Sequence, residues 1–376
     1  MALTISGVRI NGALTAVHIP PPPPPSYYLW GWGENNVGQL GLGNLTYRSS
    51  PVQIGALTTW LQISGGFHSL AIKTDGTMWS WGYNYYGALG LGNTTNQSSP
   101  IQIGALTTWS NISALTSHNL AIKTDGTLWS WGNNAQGRLG LGDTTDRSSP
   151  VQIGALTTWL QISAGYKHSM AVKTDGTLWS WGRNGQGRLG LGNTTDISSP
   201  VQIGAGTTWS SIAGYYIHSA AIKTDGTLWS WGDNSYGNLG LGNTTNRSSP
   251  VQVGALTTWS KVYCGQGYSM AVKTDGTLWS WGHNFYGNLG LGDSGTINNR
   301  SSPVQVGALT TWSSITTGGL LSAAIKTDGS LWTWGLGIDG GLGLGNTTAR
   351  SSPVQVGSST TWYSVAARAH TLAITN

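Results

Sequence analysis

The stretch Ala171 to Ser199, A-V-K-T-D-G-T-L-W-S-W-G-R-N-G-Q-G-R-L-G-L-G-N-T-T-D-I-S-S, recurs in close copies along the chain. Two apolar, β-prone runs flank Lys173-Thr174-Asp175-Gly176-Thr177. An Asp-Gly pair between such runs signals a tight β-hairpin, because the turn needs φ > 0 and glycine supplies it at little steric cost. In the second run, Leu178 to Gly182, strand alternation puts Trp179 and Trp181 on one face. A long polar, Gly-rich loop follows, and Pro200-Val201-Gln202-Ile203 begins the next cycle.

Working outward, W-x-W-G ends at Gly33, Gly82, Gly132, Gly182, Gly232, Gly282 and Gly335. S-S-P and T-T-W also occur seven times each, and the one longer interval has its extra residues around Ser294 to Asn299. In the third unit the strand candidates are Pro150–Gly154, Trp159–Ala164, His168–Lys173 and Leu178–Gly182. Four strands repeated seven times at a period of about 50 residues predict an all-β, seven-bladed β-propeller. K-T-D-G occurs only six times. The chain stops at His370 to Asn376, the strand before the missing turn, and the repeats begin at Tyr28 to Gly33, the strand after it. Pairing these two strands would close the last blade and remove an exposed sheet edge.

The composition agrees with a repeat array. Of 376 residues, 57 are Gly and 21 are Trp, only 8% are charged, and Glu34 is the single glutamate. A lone cysteine, Cys264, excludes an intrachain disulfide framework and any multi-cysteine metal site, and it reads as a small buried side chain. The net charge of +5 is spread one or two cations per repeat, which argues against a nucleic-acid-binding stripe. No run of 18 apolar residues predicts a membrane-spanning helix. The first residues lack the basic and apolar regions of a secretory signal, so none is expected.

Two domains are expected: an arm over 1–25 and the propeller over 26–376. The arm carries Leu3, Ile5, Val8, Ile10, Leu14 and Val17, then an unbroken proline run from Pro20 to Pro25. Such a run favours an extended polyproline spacer of about 3 Å per residue. The β-prone arm residues read as an assembly arm that docks on other proteins by adding strands, against the plainer reading of a solvated tail.

The unit W-G-x-N-x-x-G-x-L-G-L-G, with P-V-x-I and then G-x-x-H-S-x-A-[IV], resembles the regulator of chromosome condensation repeat. Trp81-Gly82, Asn84, Gly87, Leu89-Gly90-Leu91-Gly92 and His68 carry the likeness in one unit, and equivalents extend it over residues 28–376. The resemblance implies a seven-bladed propeller closed by its terminal strands. It also implies a founding relative that is a nucleotide-exchange factor for a small GTPase and binds chromatin. Here the repeats are more uniform than in such exchange factors, and acidic residues are scarce.

The residues supply no catalytic constellation and no cofactor or metal site. A histidine recurs at His68, His118, His168, His218 and His370, but Tyr268 and Leu321 replace it in two units. Replacement by leucine suits a structural imidazole packed against neighbouring loop backbone. Equivalent positions around a wide ring would not converge on a metal. The aspartate of K-T-D-G is explained by its turn, and L-G-L-G lacks the Lys-Ser/Thr of a phosphate loop.

Variation among the repeats is more informative. Alternating strand directions put the near-constant G-A-L-T-T and K-T-D-G turns on one face of the disc. The other face collects the A-G-x-x-H turn and the W-G-x-N-x-x-G loop, where Glu34, Phe67, Arg138, Arg188 and Asp233 vary. Its candidate binding residues are Tyr83, Tyr85, Tyr86, Tyr166, Lys167, Arg183, Tyr215, Tyr216, Tyr236, His283, Phe285 and Tyr286. Rigid aromatics beside Asn and Gly suit glycan or protein contacts. The favoured expectation is a non-catalytic propeller anchored by its arm to a large assembly, at a bacteriophage virion surface as tail fibre, head fibre or capsid decoration. Its partners would be other proteins of the assembly and a host-surface glycan or protein, with no nucleic acid and no membrane insertion. The alternatives are a cytoplasmic GTPase-binding or exchange module and a lectin with one glycan site per blade.

Overall fold

The computed structural model describes residues 26–368 and 370–376; the arm and its proline run lie outside them. Twenty-eight strands form seven four-stranded antiparallel sheets arranged as the blades of a propeller. Blades 1 to 6 span residues 60–102, 109–152, 159–202, 209–252, 259–305 and 312–355, and blade 7 joins 362–375 to 28–53. In blade 3 the strands run outward as Trp159–Ala164, His168–Lys173, Leu178–Gly182 and Ile197–Gln202. The innermost strands of all blades line a central channel of about 370 Å³.

Three of the four strands expected in the third unit have the predicted bounds, but the outer one differs. It runs over Arg147–Gln152, starting three residues before Pro150, and belongs to blade 2. Its register jumps between Arg147, opposite Gly132, and Val151, opposite Ser130. The outermost strand has no partner on its far side, so a proline without an N–H is tolerated there. The S-S-P segment therefore extends an edge strand rather than preceding it.

The K-T-D-G segment forms the expected tight hairpin, with three loop residues and glycine at positive φ. In blade 3 the Lys173 N–H donates to Thr177 O (3.0 Å), and of Thr174, Asp175 and Gly176 only Gly176 has positive φ (76°). Asp175 Oδ1 accepts from both the amide and the hydroxyl of Thr177, and the Thr177 hydroxyl accepts from Trp179 Nε1 (2.9 Å). Lys173 Nζ then lies 3.7 Å from the Trp179 ring and 4.9 Å from the Trp159 ring. The turn thus orients the first tryptophan of W-x-W by hydrogen bonds, and the lysine covers it by a cation–π contact.

The second tryptophan joins neighbouring blades. Trp181 is fully buried, and its indole N–H donates 3.0 Å to Arg138 O in the preceding blade's loop. The Ser169 hydroxyl donates to the same carbonyl at 2.8 Å. The arrangement recurs at all seven junctions: the carbonyls of Gln39, Ala88, Arg188, Asn238, Asn288 and Gly341 each accept from an indole N–H and from a Ser, Thr or Asn side chain. The L-G-L-G loop passes over the indole so closely that a Cβ on Gly140 would stand 2.7 Å from Trp181 Nε1.

Blade 7 is closed by the chain ends. Tyr28–Gly33 pairs antiparallel with His370–Thr375, from Tyr28 opposite Thr375 to Gly33 opposite His370. Tyr27 O accepts from Trp60 N, as Gly126 O does from Trp159 N, and Asn376 N donates to Thr361 O, as Thr174 N does to Thr158 O. The two chain ends thus reproduce two hydrogen bonds that an intact turn makes to its neighbours. Thr375 stands where the other blades hold the lysine, and its hydroxyl accepts from Trp30 Nε1 (3.1 Å).

Two glycine substitutions separate backbone strain from packing. Gly154 has φ 60° with nothing within 4 Å of an added Cβ, whereas Gly140 has φ 75° with the buried indole against it. Gly154→Ala is expected to cost about 1–2 kcal/mol, the left-handed penalty alone. Gly140→Ala is expected to cost about 3 kcal/mol or more, because neither the indole nor the loop can move away. Urea unfolding midpoints of the two variants check the difference.

Candidate functional site

Eleven of the twelve candidate binding residues are exposed or half-buried on the loop face; Tyr215 is not. Tyr215 is 4% exposed, packs in the core and accepts from Gly319 N through its hydroxyl (2.6 Å). The ring reaches from blade 4 to blade 6, where its hydroxyl lies against Gly319. It is a structural crosslink and not a contact residue.

The other candidates form three groups. In blade 1, Tyr83 stacks on Tyr85 (6.4 Å), Tyr86 meets Tyr85 edge-on (4.9 Å), and Phe67 packs on Tyr83 (6.1 Å). Blade 5 repeats this arrangement with His283 stacked on Phe285 (6.3 Å) and Tyr286 edge-on to Phe285 (4.7 Å), while Tyr236 of blade 4 leans on His283 (4.8 Å). The third group lies between blades 3 and 4, where Tyr166 contacts Tyr216 (4.6 Å) beside Lys167 and Arg183. Tyr85 and Phe285 are the most projecting rings of their groups, 66% and 47% exposed.

A cleft of about 550 Å³ opens on this face and spans four blades. Phe67, Tyr83 and Tyr86 of blade 1 form one wall, and Arg138, Tyr166 and Lys167 of blades 2 and 3 form the other. Glu34 of blade 7 stands at one end, its carboxyl raised above the ordinary range first by burial and then by Asp339. The lining also includes Asn36, Asn133, Gln136, Thr116 and Ser117, neutral residues that composition and repeat spacing gave no reason to single out. They sit at the positions where one repeat differs from the next, which is the signal that could have found them.

The recurring histidines are all buried. Each packs against loop backbone, His168 against Gly165 and Gly214, and reaches the next blade: His118, His168, His218 and His370 meet Ser169, Ser219, Ser269 and Ser69, and His68 meets Asn119. Because those serines donate to the loop carbonyls, they accept from the imidazole, so Nε2 carries the proton. Burial pushes the imidazoles down, His68 to about 4 and His218 and His370 to about 3. Buried neutral rings committed to serines are unsuited to acid–base turnover on an exposed substrate. Cys264 is also buried, its thiol pushed up to about 12 by burial. Among the described residues no group of three or more His, Cys, Asp or Glu side chains is placed to hold a metal ion.

These features define a closed repeat propeller with a constant face and a variable, aromatic face. The chain belongs to the RCC1-like domain family: that family's model matches residues 149–375, and the Regulator of chromosome condensation (RCC1) repeat matches 28–72, 75–122 and 125–172. No curated protein matches the chain. Among solved structures it is similar to human WBSCR16, at 21% identity over 93% of this chain and 99% of that one, with a TM-score of 0.83. It is similar to Prp20p from Saccharomyces cerevisiae, described with its binding properties to Gsp1p and histones, at 20% identity over 93% and 92%, TM-score 0.83. Yeast RCC1 (Prp20) bound to Kap60 gives 20% identity over 93% and 89%, TM-score 0.82. At these identities the likeness shows a common fold.

The histidine ladder makes stability depend on pH. A histidine with a folded pKa of about 3 stays neutral in the fold, while the unfolded chain takes up a proton below about 6.5. Its contribution is therefore intact above 6.5 and declines as pH falls toward 3, by about 1.4 kcal/mol per pH unit. Blade 6 already carries Leu321 at this place, so His218→Leu is expected to fold. Relative to the parent, it should gain about 2 kcal/mol on going from pH 7 to pH 5. Denaturant titrations at the two pH values check this.

Proposed function

We propose that the protein is a non-catalytic binding module that recognises a folded protein partner with its loop face. The observation that carries this reading is the three ring groups around an open cleft on the variable face, while the opposite turns scarcely change from blade to blade. Exposed tyrosines beside an arginine are among the residue types that dominate interface energetics. The similarity to Prp20p, described with its binding to Gsp1p and histones, and to Prp20 bound to Kap60, supports protein recognition. Together with the family's founding member, it makes a small GTPase the first class of partner to test. The virion placement finds no support in the fold or the comparisons, and the arm that would anchor it lies outside the described residues.

Purified small GTPases, with nucleotide and stripped of it, are to be titrated against the full chain by biolayer interferometry. The expected outcome is tighter binding of the nucleotide-free form, weakened about tenfold or more by Tyr85→Ala with Phe285→Ala. Leu156→Ala on the constant face should leave it unchanged. Binding that responds only to the constant-face variant would sink the loop-face assignment, and indifference to nucleotide would sink the exchange reading.

A further inference from the structure

Arg138 and Arg188 are a departure from the repeat that the fold does not require. They occupy the place whose backbone carbonyl joins adjacent blades, and their side chains also donate across the junction, to Tyr166 O and Tyr216 O of the following blades. The other five blades place Gln39, Ala88, Asn238, Asn288 and Gly341 there, all neutral. Yet both arginines are buried, 5% and 3% exposed. Their guanidinium groups donate only to neutral oxygens: Arg138 to Ala135 O, Tyr166 O and Gln136 Oε1, and Arg188 to Gly185 O, Tyr216 O and Gln186 Oε1. Among the described residues the two ion pairs are Arg147–Asp143 and Arg300–Asp293, so neither buried arginine has a carboxylate in contact. Asp146, Asp196 and Asp233 act on them from beyond that range.

Lys167 and Arg183 stand beside this pair. Neither side chain makes a hydrogen bond among the described residues, and the charges that act on Lys167 are Arg183, Arg138 and Arg188, all positive. Burying a charge without a counter-charge is costly, so Arg138 and Lys167, which line the cleft, with Arg183 and Arg188 near Lys167, leave a positive field that outweighs Glu34, the one carboxylate of the lining.

We propose that the cleft binds an acidic saccharide, with its carboxylate or sulfate against Lys167, whose charge Arg183 reinforces from beside the lining, and its sugar ring against the aromatic wall of Tyr83 and Tyr86. The cleft volume is in the range of small-ligand sites. Side-chain amides and hydroxyls of its lining both donate and accept, which matches sugar hydroxyls. Its walls are turns and loops, so it offers no strand edge for pairing an extended peptide. The site is single rather than one per blade, because its cations and rings come from residues that differ among the repeats. It goes beyond the protein-recognition reading, and Tyr85 and Phe285, used to test that reading, do not line the cleft.

Titration calorimetry with the full chain tests this, using trigalacturonate as the carboxylate probe, a heparin-derived tetrasaccharide as the sulfated probe, maltotriose as the neutral sugar and hexaglutamate as the acidic peptide. At least one acidic sugar is expected to bind, with affinity falling as salt rises, while maltotriose and hexaglutamate do not. Lys167→Gln with Arg183→Gln should weaken binding about tenfold, as should Tyr83→Ala. Arg138→Asn, which installs the residue that blades 4 and 5 carry, should fold with the parent's circular dichroism spectrum and weaken binding. Binding of neither acidic sugar overturns the proposal. So does hexaglutamate binding as tightly, which would mark an unselective field, or an affinity that none of these variants changes. Tyr85→Ala is the control expected to bind like the parent.

Discussion

One backbone carbonyl per blade junction, shared by a tryptophan indole and a small polar side chain, is the interaction on which this ring depends. The indole is the largest apolar surface available to a chain with two phenylalanines, and it brings an N–H that must be satisfied once buried. Donating across the junction solves both problems, because the same side chain fills the inter-blade space and fixes the neighbouring loop. The other repeat elements follow from that bond. The loop must pass flat over the indole, which leaves room only for glycine. The second acceptor site of the carbonyl takes the Ser169-type hydroxyl, and that hydroxyl's lone pair takes the imidazole of the blade before.

This network explains why much of the fold was legible in the sequence. Trp181, Gly140, Ser169 and His118 belong to one packed and hydrogen-bonded assembly, so a change in one would strand the others, and the pattern repeats visibly. Ring closure was legible because the termini split a hairpin whose other copies are intact. The outer strand was less so: Pro150 reads as a breaker, and only its place at a sheet edge makes it compatible with pairing. The three-residue turn was hidden because Asp-Gly suits two turn types, and the Asp175–Thr177–Trp179 relay that decides between them needs coordinates.

The candidate site was legible only in part, for the opposite reason. Its residues are defined by not repeating, so sequence could nominate Tyr83 or Arg183 as variable but could not say which of them share a cleft. Tyr215 shows the hazard. It varies like its neighbours, and it does so because a ring there reaches Gly319 across the channel. Arg138 shows the converse, since a cation in a variable loop reads as solvated, and its burial appears only once the loop is closed over by Tyr166.

A ring of near-identical blades also measures its own departures. Where six blades hold a lysine over two tryptophans, blade 7 holds Thr375, and the chain ends account for the change. Where five blades place neutral residues at the junction carbonyl, blades 2 and 3 bury arginines, which add a bond to the next blade's loop but bring a charge the junction does not use. The two departures differ in kind. The first repairs the scaffold and restores a hydrogen bond that the missing turn would have made. The second adds a charge that the scaffold must accommodate with neutral oxygens alone. A fold that forms without this charge in five blades does not need it for closure in the other two, and a neutral donor would serve the bonds to Tyr166 O and Tyr216 O as well, so the charge itself is what the proposed ligand would use.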